Sequence, residues 1–354
     1  MRVLAALSGG VDSSVTAALL RDAGHDVVGV TMKLWGGASD SGCCSVSDVE
    51  DARRAAAQLG VDHHVFNFGD EFDELVVAPY VADHAAGRTP NPCVECNRHL
   101  KFDALLRRAE LLGFDSVATG HHARIVTLAD GTRRIGRGAD AAKDQSYVLY
   151  TLRADDLEGV ELPIGSMTKD EVRALAAELG LRTAAKPDSQ DVCFITRSDG
   201  RAAFLEQRIE LHPGTVVDTD GNEIGTVDRI ELVTIGQRRG LELAGGSGRR
   251  FVTDVDVPAA RVTIGTREQL LRDEVHLEQV VWSAGPVTGA VRVQCSAHGA
   301  ALDAEAQLDG DGVVVRWHTP QRRVATGQSV VLYRDELTVD GTTTEVVVGG
   351  GLAR

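Results

Sequence analysis

The stretch RVLAALSGGVDSSVTAALLRDAG, residues 2–24, decides the fold of this chain. Its first residues are an apolar run that predicts a buried strand, and the alanine- and leucine-rich half that begins near Asp12 predicts a helix ending at Gly24. The glycine- and serine-rich turn between them, residues 8–14, presents backbone N–H groups at a helix N-terminus, where the helix dipole favours an anion. The stretch therefore predicts a phosphate-binding turn, with Asp12 as a helix cap or as a carboxylate that helps to hold Mg²⁺ beside phosphates.

Alternation of strands and helices continues outward from this stretch to about residue 200. Further strands are predicted over 25–34, 62–68 and 114–120, with helices over 45–60, 70–86 and 100–113. Continuous apolar strands that alternate with helices indicate a doubly wound parallel sheet, so we expect an α/β domain over residues 1–205. Beyond it, short apolar runs between glycine and Asp-Gly turns predict a small, mostly β linking domain (206–273) and a C-terminal β-barrel (274–354).

The chain is acidic, with a net charge of −15. Phosphate binding needs a positive field, so the overall charge by itself argues against a nucleic-acid-binding protein. Basic residues are nevertheless concentrated at NRHLKFDALLRR (97–108) and in arginine groups at 133–137, 238–239, 249–250 and 322–323. Two interpretations stay open at this point: the groups are solvated faces, or they are local basic patches on an acidic body.

The first apolar run, VLAAL (3–7), is too short for a signal peptide or a membrane span. We therefore expect a cytoplasmic protein with no membrane partner, in which thiols stay reduced. Its six cysteines are then core residues, metal ligands or reactive thiols rather than a disulfide framework.

The phosphate turn has a specific sequence. No lysine follows its glycines, so it lacks the ending that kinases and motor proteins use to reach a terminal phosphate. SGGVDSS (8–14) is similar to the SGGxDS pyrophosphate loop of the N-type ATP pyrophosphatases. This resemblance implies that the chain binds ATP, transfers AMP to a carbonyl or carboxylate oxygen and releases pyrophosphate.

Two cysteines stand in the proline-rich segment TPNPCVECN (89–97), just before a basic helix, and Cys193 follows much later in DSQDVCFI. A thiol near a helix N-terminus and beside cations favours its thiolate form. Cys96 directly precedes NRHLKF, where Asn97 is expected to cap the helix and Arg98 and Lys101 supply positive charge. Cys96 is therefore a candidate nucleophile.

Other roles for these thiols stay open on spacing alone. Cys93 and Cys96 could be two ligands of a zinc or iron–sulfur site, or a redox pair. Cys193, flanked by apolar residues, could be a core thiol.

Five motifs occur in one order along the chain: SGGVDSS, TPNPCVECN, TGHHAR, KDQSYVLY and SQDVCFI. Similarity continues through IGQRRGL and TGQSVVLY to the final GGG. On these motifs the whole chain resembles the tRNA-specific 2-thiouridylases of bacteria and organelles. The resemblance implies an ATP-dependent sulfurtransferase that adenylates the C2 carbonyl of the wobble uridine in tRNAs for glutamate, glutamine and lysine. A persulfide sulfur from a donor protein, a cysteine desulfurase or a sulfur relay, then displaces AMP and gives 2-thiouridine.

The resemblance also implies roles for individual positions. Cys193 is the persulfide carrier, and Cys96 is the nucleophile that releases the sulfur or forms a transient disulfide with Cys193. The ATP-binding positions are Ala6, Leu7, Ser8, Gly9, Gly10, Val11, Asp12, Ser13, Met32 and Gly120. The positions that contact tRNA or the target base are Asn91, Pro92, Cys93, His121, Lys143, Asp144, Gln145 and Gln328.

The chain departs from the family pattern at Cys93, where many members carry an aspartate. No general base is therefore assigned, and Cys93 is interpreted as a spectator, a metal or cluster ligand, or an auxiliary thiol. We prefer paired reactive thiols to zinc or an iron–sulfur cluster at Cys93 and Cys96. Cys295 is interpreted as a core thiol, and no role is predicted for Cys43 or Cys44.

Two rival functions are compatible with parts of the sequence. One is another ATP pyrophosphatase that ligates or amidates a small metabolite, which would need no paired cysteines. The other is a nucleotide-binding sensor with a structural metal site, which would release no AMP.

Overall fold

A computed structural model describes residues 1–34, 46–188, 192–195, 200–243 and 249–354. The N-terminal strands, in chain order, are β1 (Arg2–Ala6), β2 (Asp26–Lys33), β3 (Asp62–Asn67), β4 (Ser116–Ala118), β5 (Ala123–Thr127), β6 (Arg133–Arg137) and β7 (Val160–Glu161). The helices are α1 (Val11–Asp22), α2 (Val46–Leu59), α3 (Gly69–Phe72), α4 (Ala78–Ala85), α5 (Pro92–Glu95), α6 (Leu105–Leu111), α7 (Lys169–Glu178) and α8 (Gly200–Glu206). Two π-helical segments, Asp73–Val77 and Cys96–Ala104, join α3 to α4 and α5 to α6 without a break.

Five of these strands form one parallel sheet in the order β3-β2-β1-β4-β7. Alternate residues of a strand point to opposite faces of its sheet, and β1 shows why both faces are covered. Val3 and Ala5 pack with α1, α2 and α7, whereas Leu4 packs with the helices of residues 69–111. The predicted doubly wound parallel sheet is confirmed.

The rest of the chain is mostly β-structure, as predicted. The middle strands are β8 (Gly214–Val217), β9 (Glu223–Val227), β10 (Glu242–Leu243), β11 (Phe251–Asp256) and β12 (Arg261–Gly265), in the sheet order β10-β9-β8-β12-β11. The pair β8–β12 is parallel, so this sheet is not wholly antiparallel as expected. The last strands are β13 (Leu271–Trp282), β14 (Gly289–Gln294), β15 (Leu302–Asp309), β16 (Gly312–Arg322), β17 (Ser329–Leu337) and β18 (Thr343–Ala353).

These last six strands close into a barrel because β18 pairs with both β17 and β13. The predicted C-terminal β-barrel is confirmed. Among the described residues, no helix combines the length and the apolar character needed to cross a membrane.

A hairpin of the N-terminal region extends the barrel sheet. β5 and β6 leave the parallel sheet after β4, and β6 pairs with β18 at Gly136 and Val346. Arg137, at the end of β6, holds this junction. Its guanidinium bonds Asp144 at 2.9 Å and Glu345 at 2.5 Å and stacks on the Tyr333 ring at 3.6 Å. The sequence did not indicate this connection, because strand pairing between residues so far apart leaves no local pattern.

Replacing Arg137 by methionine should lower the free energy of unfolding by about 3 kcal/mol, because it leaves two largely buried carboxylates without their shared cation. Urea denaturation of the full chain measures this loss. Arg133→Met, on the same strand, is the control and should cost less than about 1 kcal/mol. Equal stability of the two variants would mean that the Arg137 cluster does not hold the hairpin to the barrel.

Candidate active site

The phosphate turn is closed by its own serine side chains. The Ser13 and Ser14 hydroxyls both donate to the Gly10 carbonyl, at 3.1 Å and 2.9 Å, and the Ser8 N–H donates to Ser13 Oγ at 3.2 Å. Gly10 is the N-cap of α1 and has extended backbone geometry. The prediction that Asp12 caps the helix is therefore wrong, since Asp12 lies within the first helical turn and its side chain points elsewhere.

At two positions near this turn, another stretch of backbone lies so close that only glycine, which has no Cβ, fits. Gly9 has φ +75°, which favours glycine, and a Cβ there would lie 2.3 Å from the Asp48 carbonyl oxygen at the start of α2. Gly120, after β4, faces the start of α1, where a Cβ would lie 2.7 Å from the Ser13 nitrogen. The predicted ATP-binding positions in the turn and at Gly120 thus lie side by side at the carboxyl edge of the sheet.

Gly120→Ala should weaken ATP binding by about 10- to 100-fold, because the added methyl displaces the backbone that would hold the phosphates. Isothermal titration with ATP measures the change. Gly285→Ala is the matched control, since a Cβ there meets no atom within 4 Å. Unchanged ATP affinity in Gly120→Ala would remove Gly120 from the nucleotide site.

The Asp12 carboxylate accepts two hydrogen bonds from one lysine. Lys169 Nζ lies 2.7 Å from each Asp12 oxygen, and His122 Nε2 lies 3.2 Å from Oδ1. Burial would raise the pKa of Asp12, but the hydrogen bonds from His122 and Lys169 and the lysine charge outweigh it and lower that pKa. Asp12 is therefore an ionised partner of Lys169.

A second lysine reaches the turn itself. Lys186 Nζ donates to the Gly9 carbonyl at 3.0 Å and to Asp48 and Asp51, on α2, at 2.7 Å and 2.6 Å. Sequence analysis missed both lysines because they stand far along the chain from residues 8–14. The available signals were weak: Lys169 opens a helix with a Thr168–Glu171 capping box, and Lys186 begins the segment that leads to Cys193.

Asp188 forms ion pairs both with Lys169, the partner of Asp12 in the phosphate turn, and with Lys143, a predicted tRNA-contacting residue. Its carboxylate bonds Lys143 at 2.7 Å, Lys169 at 3.0 Å and Arg173 at 2.7 Å. Burial opposes ionisation, yet hydrogen bonds from Lys143 and Lys169 lower the pKa of Asp188 to about 2. A continuous chain of ion pairs therefore runs from Asp12 to Lys143, through a residue that shortly precedes Cys193.

Cys96 and Cys193 come together in one hydrophobic cluster although they are far apart in sequence. Cys96 is buried in this cluster with Met32, and Cys193 packs against it. The Phe194 ring, next to Cys193, lies 5.3 Å from the ring of Tyr80. The cluster therefore contains both predicted reactive thiols and the methionine predicted to meet ATP.

The helix that carries Cys96 begins earlier than predicted. Asn91 is its N-cap and accepts a hydrogen bond from the Cys93 N–H at 3.1 Å, and Pro92 occupies the first helical position, which proline favours. Asn97 is therefore not the cap. It is buried in the helix and donates to the Val148 carbonyl at 3.2 Å. Exposed Cys93 takes the N-terminal position expected for Cys96.

A tyrosine joins the Cys93 loop to the C-terminal barrel. The Tyr147 hydroxyl accepts a hydrogen bond from Gln328 Nε2 at 3.2 Å, is also hydrogen-bonded to the Asn91 side chain and donates to the Ser329 carbonyl at 2.8 Å. Nearby, the Thr89 N–H donates to the Thr326 carbonyl at 2.8 Å. Gln328 therefore lies beside the loop predicted to face the target base.

Comparison with known proteins accounts for this combination of features. Family models match residues 1–197 (tRNA methyl transferase HUP domain), 202–266 (tRNA methyl transferase PRC-barrel domain) and 272–352 (aminomethyltransferase beta-barrel domain). The chain is 48% identical to the tRNA-specific 2-thiouridylase MnmA of Beutenbergia cavernae, over 99% of this chain and 96% of that protein. The chain belongs to the tRNA-specific 2-thiouridylase family. It is also 48% identical to the protein of that name in Mycobacteroides abscessus, over 95% of this chain and 96% of the relative.

Among solved structures, the U34-tRNA thiolase NcsA of Methanococcus maripaludis, with its [4Fe-4S] cluster, is similar at 19% identity. The match covers 54% of this chain and 60% of that one, with a TM-score of 0.36. A similarity of that size supports no conclusion about activity or clusters in this 2-thiouridylase family member.

Three residues of the predicted tRNA-side set direct their side chains inward. Asp144 accepts hydrogen bonds from the Gly138 and Ser146 N–H groups, and Gln145 Oε1 accepts the His122 N–H at 2.8 Å. His121 is buried and hydrogen-bonded to Thr119 at 2.7 Å. Burial, with the nearby charge of Lys101, holds the pKa of His121 well below its usual value, so its ring is neutral. The side chains of Asp144, Gln145 and His121 therefore form hydrogen bonds inside the protein, whereas Lys143 is partly exposed at the surface.

The remaining cysteines form no metal centre with their neighbours in the described ranges. No group of three or more His, Cys, Asp or Glu side chains there could hold a metal ion. Cys295 packs against the barrel core, and burial raises the pKa of its thiol to about 12, as expected of a core thiol. Cys43 and Cys44 lie outside the described residues.

Proposed function

We propose that this chain is an ATP-dependent tRNA-uridine 2-sulfurtransferase that converts the wobble uridine of tRNA to 2-thiouridine. One observation carries the proposal: Cys96 and Cys193 share a hydrophobic cluster with Met32, which lies near the carboxyl end of β2 in the sheet that also carries the phosphate turn. ATP chemistry and sulfur chemistry then meet in one crevice, where doubly wound sheets bind their ligands. A ligase for a small metabolite would have no use for the second thiol.

In the first step, the uracil C2 oxygen attacks the α-phosphorus of ATP. The bond between the α- and β-phosphates breaks, AMP becomes attached to the oxygen, and pyrophosphate leaves. The turn of residues 8–14 would hold the β- and γ-phosphates with its N–H groups. Lys169 and Lys186 supply the positive charge that the turn itself lacks, and they stabilise the charge that develops on pyrophosphate.

In the second step, the terminal sulfur of a Cys193 persulfide attacks C2 and AMP leaves with the former carbonyl oxygen. The Cys96 thiolate then attacks Cys193 Sγ, and the bond between Cys193 and the transferred sulfur breaks. This leaves 2-thiouridine and a Cys96–Cys193 disulfide, which an external thiol reduces. Two thiols are oxidised and the transferred sulfur is reduced, so the electrons balance.

Magnesium would accompany ATP, and Asp12 is the only predicted protein ligand for it. Mg²⁺ is commonly held by one or two carboxylates together with substrate phosphates. Both Asp12 oxygens already accept hydrogen bonds from Lys169, which also bonds Asp188 at 3.0 Å. Asp12 could bind Mg²⁺ only if Lys169 turned to Asp188, so we assign Asp12 first to positioning Lys169.

The substrate is proposed to be a tRNA for glutamate, glutamine or lysine, with its wobble base turned out of the anticodon stack. Asn91, Pro92 and Cys93 would face the base, and Gln328 lies next to that loop through Tyr147. Lys143, on the exposed side of the ion-pair chain, would contact the RNA backbone. A cysteine desulfurase or a sulfur relay would load Cys193.

Purified full chain with ATP, Mg²⁺, a cysteine desulfurase with cysteine, and unmodified tRNA should form 2-thiouridine, AMP and pyrophosphate in equal amounts. The same tRNA with cytidine at the wobble position is the control and should give none of the three. Release of AMP that depends on ammonia or a small acid, and not on tRNA, would favour the metabolite ligase and contradict the proposal.

A further inference from the structure

A basic pocket lies at the seam between the middle sheet and the C-terminal barrel, away from the phosphate turn and the cysteines. It is an open pocket with a volume of about 600 Å³. Four exposed arginines line it, with one acid and one aromatic ring, namely Arg238, Arg249, Arg267, Arg322, Glu268 and Phe251. A group of four arginines is unusual on a chain whose net charge is −15.

The arginines of this pocket form no close ion pair within the part of the chain that the structure describes, and only the charge of Glu268, beside Arg267, partly offsets them. None of the four forms an ion pair there, whereas neighbouring Arg323 bonds Asp254 at 2.7 Å. Residues 244–248, which precede Arg249 and lie outside the described ranges, are AGGSG and add no charge. The positive field of the pocket is therefore available to a ligand.

The pocket is built on firmly held backbone. The turn that carries Arg238 is bonded to β11 twice, through Gly236 N–H to the Val252 carbonyl at 2.8 Å and Val252 N–H to the Gln237 carbonyl at 2.9 Å. Across the seam, the Arg323 N–H donates to the Leu270 carbonyl at 2.8 Å. The backbone next to Arg238 and next to Arg322 is thus held by hydrogen bonds, which lowers the entropic cost of ordering these two side chains on binding.

The composition of the pocket selects the kind of ligand. Small-molecule sites are enclosed and mostly apolar, whereas this pocket is open and has a single aromatic residue. The arginine guanidinium pairs with phosphate in a planar, two-bond geometry and dominates contacts to nucleic-acid backbones. Several arginines on an open surface match a run of phosphodiesters better than a single small anion.

The position of the pocket fits an RNA that also reaches the cysteines. β11 runs from Phe251 at the pocket toward Val257, which lies beside Gly87, in the loop that leads to Asn91 and Cys93. A strand of that length spans roughly 20 Å. An RNA whose wobble base lies at the Cys93 loop would therefore bring phosphates several nucleotides away to the arginines.

We propose that the pocket of Arg238, Arg249, Arg267 and Arg322 is a second RNA-binding site, which holds backbone phosphates of the tRNA at a distance from the target base. This inference rests on the proposed function, since it takes tRNA to be the substrate. The pocket orients the RNA but does not touch the reacting atoms, so it contributes to affinity and not to the chemical step.

The test compares two double variants of equal charge. R249Q/R322Q removes one pocket arginine from each of the two domains. The control, R261Q/R316Q, removes one exposed arginine outside the pocket from each of the same domains. Arg261 lies on β12, and Arg316 lies on β16, the strand that also carries Arg322. R249Q/R322Q should weaken tRNA binding about 10- to 100-fold at moderate salt and lower the slope of log affinity against log salt by about 1 to 2. In R249Q/R322Q the KM for tRNA should rise, whereas kcat should stay within about twofold of the wild-type value. R261Q/R316Q should resemble the wild type in both constants.

Two further arms separate the possible failures. R249K/R322K keeps the charge and loses the two-bond geometry, so it should retain the wild-type salt slope with an intermediate affinity. If the wild type binds and thiolates tRNA but R249Q/R322Q binds as tightly as R261Q/R316Q, the pocket is not an RNA site and the proposed function stands. If the wild type itself neither binds nor thiolates tRNA, the proposed function fails and this inference fails with it.

Discussion

Replacing Cys193 by serine should lower 2-thiouridine formation by at least about 10³-fold while tRNA-dependent release of pyrophosphate continues. A serine hydroxyl cannot carry a persulfide sulfur, so sulfur transfer loses its covalent carrier. The nucleotide side of the site, with Lys169 and Lys186 at the phosphate turn, is unchanged in this variant, so adenylation survives. Mass spectrometry of digested tRNA measures thiolation, and a coupled assay measures pyrophosphate.

Cys96→Ser separates the two thiol roles. This variant should still accept a persulfide on Cys193, detectable by alkylation and mass spectrometry of the intact protein, but should release little 2-thiouridine. Cys295→Ser is the control and should retain wild-type activity, since that thiol belongs to the barrel core. Thiolation by Cys193→Ser above about a tenth of the wild-type rate would overturn the persulfide assignment.

Replacing Lys169 by methionine should reduce tRNA-dependent AMP formation by about 10²- to 10³-fold, the usual effect of removing one preorganised charge donor from a developing anion. Lys169 is buried and holds both oxygens of Asp12, so its loss removes a cation from the phosphate turn and leaves Asp12 with His122 alone. Rapid-quench measurement of AMP from labelled ATP, at saturating tRNA, reports the defect.

A control is needed because Lys169 also pairs with Asp188. Lys143→Met removes another cation from Asp188 at 2.7 Å without touching the phosphate turn. ATP affinity should stay within about twofold of the wild type in Lys143→Met and fall at least about tenfold in Lys169→Met. Equal ATP affinities in the two variants would mean that Lys169 supports the fold of the site and does not contact the nucleotide.

Some features of the site could be predicted because they depend on neighbours in sequence. The strand, turn and helix of residues 2–24 follow from short-range apolar patterning and from glycines that permit an unusual backbone. The position of Gly120 at a strand end likewise follows from alternation of strands and helices. The error at Asn97 is also local in origin, because Asn91 and Pro92, six and five residues earlier, already form an N-cap and first-turn proline pattern in the sequence.

Other features could not be predicted because they join distant parts of the chain. Nothing near Asp12 in sequence indicates that Lys169 would neutralise it, and Lys186 meets Gly9 only after the chain has passed through the whole parallel sheet. The inward direction of Asp144 and Gln145 depends on the hairpin that joins β18. The four arginines of the proposed RNA pocket come from separate segments of two domains.

The amino-acid sequence by itself determined the glycine- and serine-rich turn between β1 and α1 and the order of strands and helices, because these depend on residues a few positions apart. The tertiary structure alone decided that Cys96 and Cys193 share a cluster with Met32, that two remote lysines reach the turn, and that four arginines of an acidic chain line one pocket. The physical reason is that charge pairing and packing act through space, and only the closed fold brings these side chains within a few ångströms of one another.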